Sequence, residues 1–301
     1  MGISTYLKEI GRGAQGARSL TREQAQDMFG QILDGQCTDL EIGAFCIAMR
    51  IKGETAEEMA GFLDAVAARM TKIPESGSPV IVLPSYNGAR KLPVLTPLLG
   101  LLLARQGLPV LLHGTATEST RVTAGQVLLA MGIQPQPAAA PIQNGSLHWV
   151  PTEHLLPSLT QLLEVRRTIG LRNPAHSLVK LMNPCAGASL VVGSYTHPEY
   201  AVSMAATFRL MNTNALLLRG TEGEPVADAR RIPRMELFQQ GQARCVQEAQ
   251  AGPLTTLPEL PAIDAASTAA YTQSVLDGTL AVPEPIARQV EHISRACMAS
   301  A

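Results

Sequence analysis

The sequence predicts an α/β protein with a smaller all-helical domain, and three observations carry that prediction. Within residues 1–75, apolar positions three and four apart follow residues suited to cap helices. From residue 80 onward, short apolar runs suited to buried strands alternate with helical periodicity. The chain's 21 prolines and 25 glycines punctuate these segments and imply many defined element ends.

Taken in order, Thr21 caps a helix from about 20 to 28, with Gln24 three residues on as in a capping box. Phe29, Ile32 and Leu33 continue its stripe until Gly35. Asp39 is read as the cap of the next helix, whose Ile42, Phe45, Cys46 and Met49 share one face. Thr55 and Glu58 open a third helix with Met59, Phe62, Leu63 and Val66 inward, and a Gly/Ser/Pro linker spans 74–79. Strands follow at 80–83, 110–112, 190–193 and 214–219, and helices at 96–106, 120–131, 155–163, 198–211 and 263–276. Ile286, Val290 and Ile293 form the stripe of a terminal helix. Strands alternating with helices predict a largely parallel sheet covered on both faces.

Composition narrows the function classes. Hydrophobic residues make up 46% but aromatics only 4%, which excludes a groove dominated by aromatic stacking. Prolines and Arg105 interrupt the apolar run 92–112, so no membrane span is expected. Five widely spaced cysteines without a CxxC argue against disulfides or structural zinc, and a cytoplasmic location is expected. Cys185, after Pro184, is the cysteine expected nearest a cleft. Net charge is −1, yet residues 161–245 hold ten Lys/Arg against six Asp/Glu, while 246–301 hold two against six. A nearly neutral chain can therefore present a positive face.

That face has two candidate tracts. Arg166, Arg167, Arg172 and Lys180 stand in a proline-interrupted stretch, 165–184, that contains no carboxylate. Arg230, Arg231 and Arg234 form the second, before and after Pro233. Arginine suits phosphate because its fork of donors meets two oxygens at once. His113 and Gly114 follow a strand, at the sheet edge where open α/β folds bind ligands. Tyr86 and Tyr195 are candidate stacking platforms for bases.

Several of these stretches resemble glycosyltransferase family 3, typified by anthranilate phosphoribosyltransferase. The matches are the run from Leu20 to Ala25, Gly43-Ala44-Phe45, Lys52-Gly53-Glu54-Thr55, then Arg167, Ile169-Gly170-Leu171-Arg172 and Asn183-Pro184. The resemblance implies an anthranilate phosphoribosyltransferase-like fold with a helical domain at 1–75 that takes back residues near 160–186. It implies an α/β domain from 76–159 and 187–301, and a homodimer formed largely through the helical domains.

Departures from the enzyme pattern fall in the phosphate- and metal-handling parts. Where the family has Gly-Thr-Gly-Gly-Asp, this chain reads Pro84-Ser85-Tyr86-Asn87-Gly88, and Pro84 has no amide to offer an anion. Lys-His-Gly-Asn-Arg becomes Leu112-His113-Gly114-Thr115-Ala116. The magnesium-holding Asp-Glu pair becomes Gly223-Glu224, with Glu222 as a possible substitute carboxylate. The tail, with Val282-Pro283-Glu284-Pro285-Ile286-Ala287 and Gln289-Val290, resembles the divergent TrpD2-like (YbiB-like) branch. That resemblance implies dimeric nucleic-acid binding without transferase activity.

The leading expectation is thus a non-catalytic, largely sequence-nonspecific homodimer that binds single- or double-stranded nucleic acid and needs no cofactor. Its phosphate contacts would be Arg166, Arg167, Arg172, Lys180, Arg230, Arg231 and Arg234. Ser85, Asn87, Gly88, His113, Gly114 and Arg172 would form a remnant substrate cleft. The alternative is a Mg2+-dependent phosphoribosyltransferase or pentosyltransferase, binding phosphoribosyl pyrophosphate with Glu222 and Glu224 on the metal and an aromatic or base-like acceptor.

Overall fold

The computed structural model describes every residue except Met1, Ala14, Ala139, Thr255, Thr256 and residues 299–301. It opens with four helices: α1 (Ser4–Ile10), α2 (Arg22–Leu33), α3 (Asp39–Lys52) and α4 (Ala56–Ala67). Thr21, Thr38 and Thr55 each cap the helix that follows, in full capping boxes closed by Gln24, Glu41 and Glu58. The cap of α3 is therefore Thr38; Asp39, expected there, is the first helical residue. Glu58 does more than close its box. Fully buried, it also accepts the Leu20 amide at 2.9 Å and pairs with Lys52 at 2.6 Å, pinning the start of α2 to α4. Phe29 and Phe62 stack at 4.8 Å between centroids, with Phe45 edge-on to both. Deleting one such ring from a core costs about 3–5 kcal/mol.

The rest surrounds a seven-stranded sheet in the order β3-β2-β1-β4-β5-β6-β7. Its parallel part comprises β1 (Val80–Pro84), β2 (Val110–Gly114), β3 (Leu147–Pro151), β4 (Ser189–Tyr195) and β5 (Ala215–Arg219). An antiparallel hairpin, β6 (Met235–Gln239) and β7 (Gln242–Gln247), extends β5. Alternation along β1 divides the interior. Val80 and Val82 face the core shared with the helical bundle, while Ile81 and Leu83 face the second core. That second core is closed by α5 (Thr96–Arg105), α6 (Ala124–Ala130), α11 (Ala265–Leu276) and α12 (Glu284–Met298).

Between β3 and β4 the chain returns to the helical bundle through α7 (Thr152–Leu155), α8 (Pro157–Ile169) and α9 (Ala175–Leu178); α8 touches α2 and α9 touches α4. After β4, α10 (Pro198–Leu210) packs on α4. The strand order reverses direction around β1 and β4, so the carboxyl ends of those two strands define the crevice where open α/β sheets bind ligands. Among the described residues, no helix is long and apolar enough to cross a membrane.

Candidate functional site

The loop leaving β1 is already occupied by an anion that belongs to the protein. Glu224, 1% exposed, accepts the amides of Asn87 and Gly88 at 2.8 Å each, the Thr96 hydroxyl at 3.0 Å, and the Ser85 hydroxyl. An ionised carboxylate offers about four lone-pair sites, and four donors are present here. Glu222 does the same for the next stretch, accepting the amides of Arg90 at 2.6 Å and Lys91 at 2.7 Å. The acidic turn 222–224 after β5 is thus latched onto the loop leaving β1, the one the sequence resemblance would assign to pyrophosphate.

Three features hold the latch. Asn87 donates its side-chain amide to the Glu222 carbonyl at 2.6 Å, and Lys180 and Ser194 donate to the Gly223 carbonyl at 3.0 and 2.7 Å. Gln289 of α12 accepts the Ala227 amide at 2.8 Å and donates to the Pro225 carbonyl at 2.9 Å, anchoring the far end of the turn. Gly223 has φ +85°, and a Cβ there would strike the Asn87 amide group and approach Lys180 Nζ at 2.8 Å. Glycine is what this close turn requires at 223. Glu222 itself is left-handed at φ 52°, a strained position for a non-glycine residue.

This arrangement corrects the expected magnesium pair. Glu222 and Glu224 do not converge on an open point; their oxygens are spent on loop amides and hydroxyls, so the residues present do not fit the metal. Among the described residues, no group of three or more His, Cys, Asp and Glu is placed to hold a metal ion.

The remnant-cleft residues divide accordingly. Ser85, Asn87 and Gly88 form the latched loop, and Gly114 lies directly against the Ser85 carbonyl. His113 is a core residue rather than a cleft one: fully buried, its Nδ1 lies 2.8 Å from the Tyr86 hydroxyl, which also accepts from Thr152 at 2.9 Å. Tyr86, 4% exposed, is therefore no stacking platform. Burial draws His113 down to about 3, and burial with nearby Arg172 draws His176 to about 4. Both rings stay neutral in the fold yet protonate near 6.5 when unfolded. The unfolded chain binds more protons between those values, so stability is full above about pH 6.5 and falls as pH drops toward 4. Urea unfolding across that range should show this slope, flattened in His113→Gln; an unchanged slope would contradict it. Burial likewise pushes the Cys185 thiol up to about 12, so it is packing, not chemistry.

Beside the latch stands the cationic cluster. Glu118, in the loop after β2, meets Arg166 at 2.9 Å, Arg172 at 3.2 Å and Arg121 at 3.3 Å. Burial works against its charge, but the three guanidiniums together hold its carboxyl below the usual range. Three cations on one carboxylate leave two positive charges uncompensated. Arg121 Nε and Arg166 Nη1 are buried donors without a well-aligned acceptor. Arg121 carries no spacing signal in the sequence; the fold brings it to Arg172 through Glu118. Arg167 points outward and pairs with Glu164 at 2.6 Å. Lys180, drawn to about 8 by burial against the opposing pull of Glu224, is turned into the latch.

The second tract is different. Arg230 pairs with Asp228, Arg234 with Glu236 and Glu248, and Arg231 donates to the Gln250 and Gly252 carbonyls. Three arginines against three carboxylates give this tract no surplus charge, unlike the Glu118 cluster.

Comparison with known proteins identifies the family and the fold. The glycosyl transferase family helical bundle domain matches residues 4–70. YbiB of Escherichia coli strain K12 is 40% identical over 299 residues, spanning 96% of this chain and 92% of that protein. Anthranilate phosphoribosyltransferase 2 of Ralstonia nicotianae is 29% identical over 220 residues, 71% of this chain and 63% of that one. The crystal structure of anthranilate phosphoribosyltransferase from Thermus thermophilus superposes with a TM-score of 0.73 at 21% identity, covering 96% of this chain and 88% of that one. The chain belongs to glycosyltransferase family 3, as an anthranilate phosphoribosyltransferase-like protein related to YbiB.

Proposed function

We propose that this protein is a non-catalytic, largely sequence-nonspecific nucleic-acid-binding homodimer built on a phosphoribosyltransferase scaffold. The observation that carries the reading is the cluster of Arg121, Arg166 and Arg172 around the single carboxylate of Glu118. A phosphodiester supplies the negative charge and acceptors that this cluster lacks, and contacts of this kind carry affinity without base identity. The latch supports the same reading, because the donors that would receive a pyrophosphate are satisfied from within.

Dimerisation is supported by α3. Leu40, Ala44, Ile47 and Ile51 are exposed at spacings of four, three and four, an apolar stripe on the face opposite the core; Leu40 is 83% and Ile51 62% exposed. A stripe at that spacing is the seam of a helix pair. Two copies meeting there would place two arginine clusters on one polymer and gain avidity. Ile47→Asp should convert a dimer to a monomer in sedimentation experiments with folding intact. A parent chain that sediments as a monomer would defeat this part of the reading.

The second reading, a Mg2+-dependent phosphoribosyltransferase or pentosyltransferase, is favoured by the similarity to anthranilate phosphoribosyltransferases, but it requires magnesium to be held other than by Glu222 and Glu224. Calorimetry with phosphoribosyl pyrophosphate and magnesium separates the two. The nucleic-acid reading expects no magnesium-dependent heat; tight magnesium-dependent binding would put the enzyme first.

A further inference from the structure

Between the α3–α4 junction, α9 and the turn from β4 into α10 lies a cavity of about 470 Å³, within the size range of small-ligand sites. Of the remnant-cleft residues only Arg172 lines it, and Lys180 and Ser194, which donate to the Gly223 carbonyl, form the wall between it and the loop that Glu224 fills. Its wall has three kinds of surface.

One is cationic. Arg50, Arg172 and Lys180 stand with Glu54 and Glu199 on this wall, Arg172 facing Glu118 as well and Lys180 donating to the Gly223 carbonyl beside Glu224. The amino end of α10 opens here too: His197 makes no side-chain capping bond, Pro198 has no amide and the Tyr200 amide is bonded to the His197 carbonyl at 3.1 Å, so the Glu199 amide is the first-turn donor left to an anion. A second surface is flat and polarisable: Tyr195, His197 and Tyr200, the last two with ring centroids 6.4 Å apart, together with Met49 and Met204. The third is a polar edge. His176 is 8% exposed, with Nδ1 turned to Asn173 and Nε2 without a hydrogen-bond partner. A buried polar atom left unpaired is uncommon and costly.

We infer that this cavity receives one nucleotide of a single strand, its phosphate toward Arg50, Arg172 and the α10 amino end and its unpaired base against the tyrosine and histidine faces. The inference rests on the nucleic-acid reading and adds strand discrimination to it. A duplex has no unpaired base to insert and engages only the outer arginines. A single strand engages both the arginines and the cavity. Arg172, which faces Glu118 and also lines the cavity, joins the two sites.

The test compares oligothymidylate with a duplex of equal length by fluorescence anisotropy, using the full chain and two variants. Ser203→Trp fills the cavity mouth from an exposed position on α10, and His176→Leu removes the unpaired nitrogen. Both should weaken oligothymidylate binding about tenfold or more, the scale of one lost stacked base, with duplex affinity unchanged. Should His176→Leu misfold, as thermal unfolding would reveal, Ser203→Trp alone decides. Equal weakening on both probes, or none on oligothymidylate, overturns the cavity assignment while leaving the nucleic-acid reading in place. A parent protein that binds neither probe overturns both.

Discussion

Replacing Glu224 by alanine is expected to lower stability by about 3 kcal/mol or more, the largest effect of any single substitution at the site. The alanine removes the acceptor of the Asn87 and Gly88 amides, which are buried and cannot turn elsewhere. Each buried donor left unsatisfied costs roughly 1–3 kcal/mol, while the Ser85 and Thr96 hydroxyls can rotate to other acceptors. Loss of the carboxylate also removes the charge that supports the Lys180 ammonium, pulling it further below about 8. Against a typical total of about 5–15 kcal/mol, this is a large fraction. Glu224→Gln keeps one acceptor oxygen and should fall between. Urea denaturation measures all three chains; alanine within about 0.5 kcal/mol of the parent would mean that the latch bears no weight.

The second large effect is on binding. Joint replacement of Arg121, Arg166 and Arg172 by alanine should abolish most nucleic-acid affinity at physiological salt. It should also reduce the magnitude of the salt-dependence slope by roughly 2–3, somewhat under one per phosphate contact. The loss should be alike for unrelated sequences, as backbone contact requires. Glu118 loses its partners in this variant, but it is partly exposed and can return to water, so the fold should persist. The Arg230/Arg231/Arg234 triple variant is the contrast. Those guanidiniums are matched by Asp228, Glu236 and Glu248, so little affinity should be lost. Equal loss from the two triples would show that charge matching at the second tract does not shield it from phosphate.

Local signals made much of the fold legible. The Thr21–Gln24 and Thr55–Glu58 boxes are written in adjacent residues, and both form. The apolar runs at β1, β2, β4 and β5 are strands because they are buried on both faces, which leaves no polar alternation to confuse them. The hairpin β6–β7 escaped notice because β7 is largely exposed and polar, although Gln240-Gly241, both at positive φ, is a recognisable two-residue turn. Likewise β3, with His148 and Trp149 only half buried, lacks an apolar run.

The site was less legible, for a physical reason. The carboxylate contacts of the latch join residues more than 125 positions apart, as between Asn87 and Glu224 or Lys91 and Glu222. Sequence revealed that the pyrophosphate loop and the acidic pair had both changed; it could not reveal that one now fills the other. Charge counting found Arg166 and Arg172 but not Arg121, and it credited Arg230 and Arg234 without the carboxylates that the turn and hairpin bring beside them.

The central claim, nucleic-acid binding through surplus arginine charge, is tested most directly by titrating the parent protein with labelled oligonucleotides of unrelated sequence at two salt concentrations. The account predicts binding at low salt, similar affinity for each sequence, and a steep loss as salt rises. No binding at low salt, or an affinity that salt leaves unchanged, would contradict it.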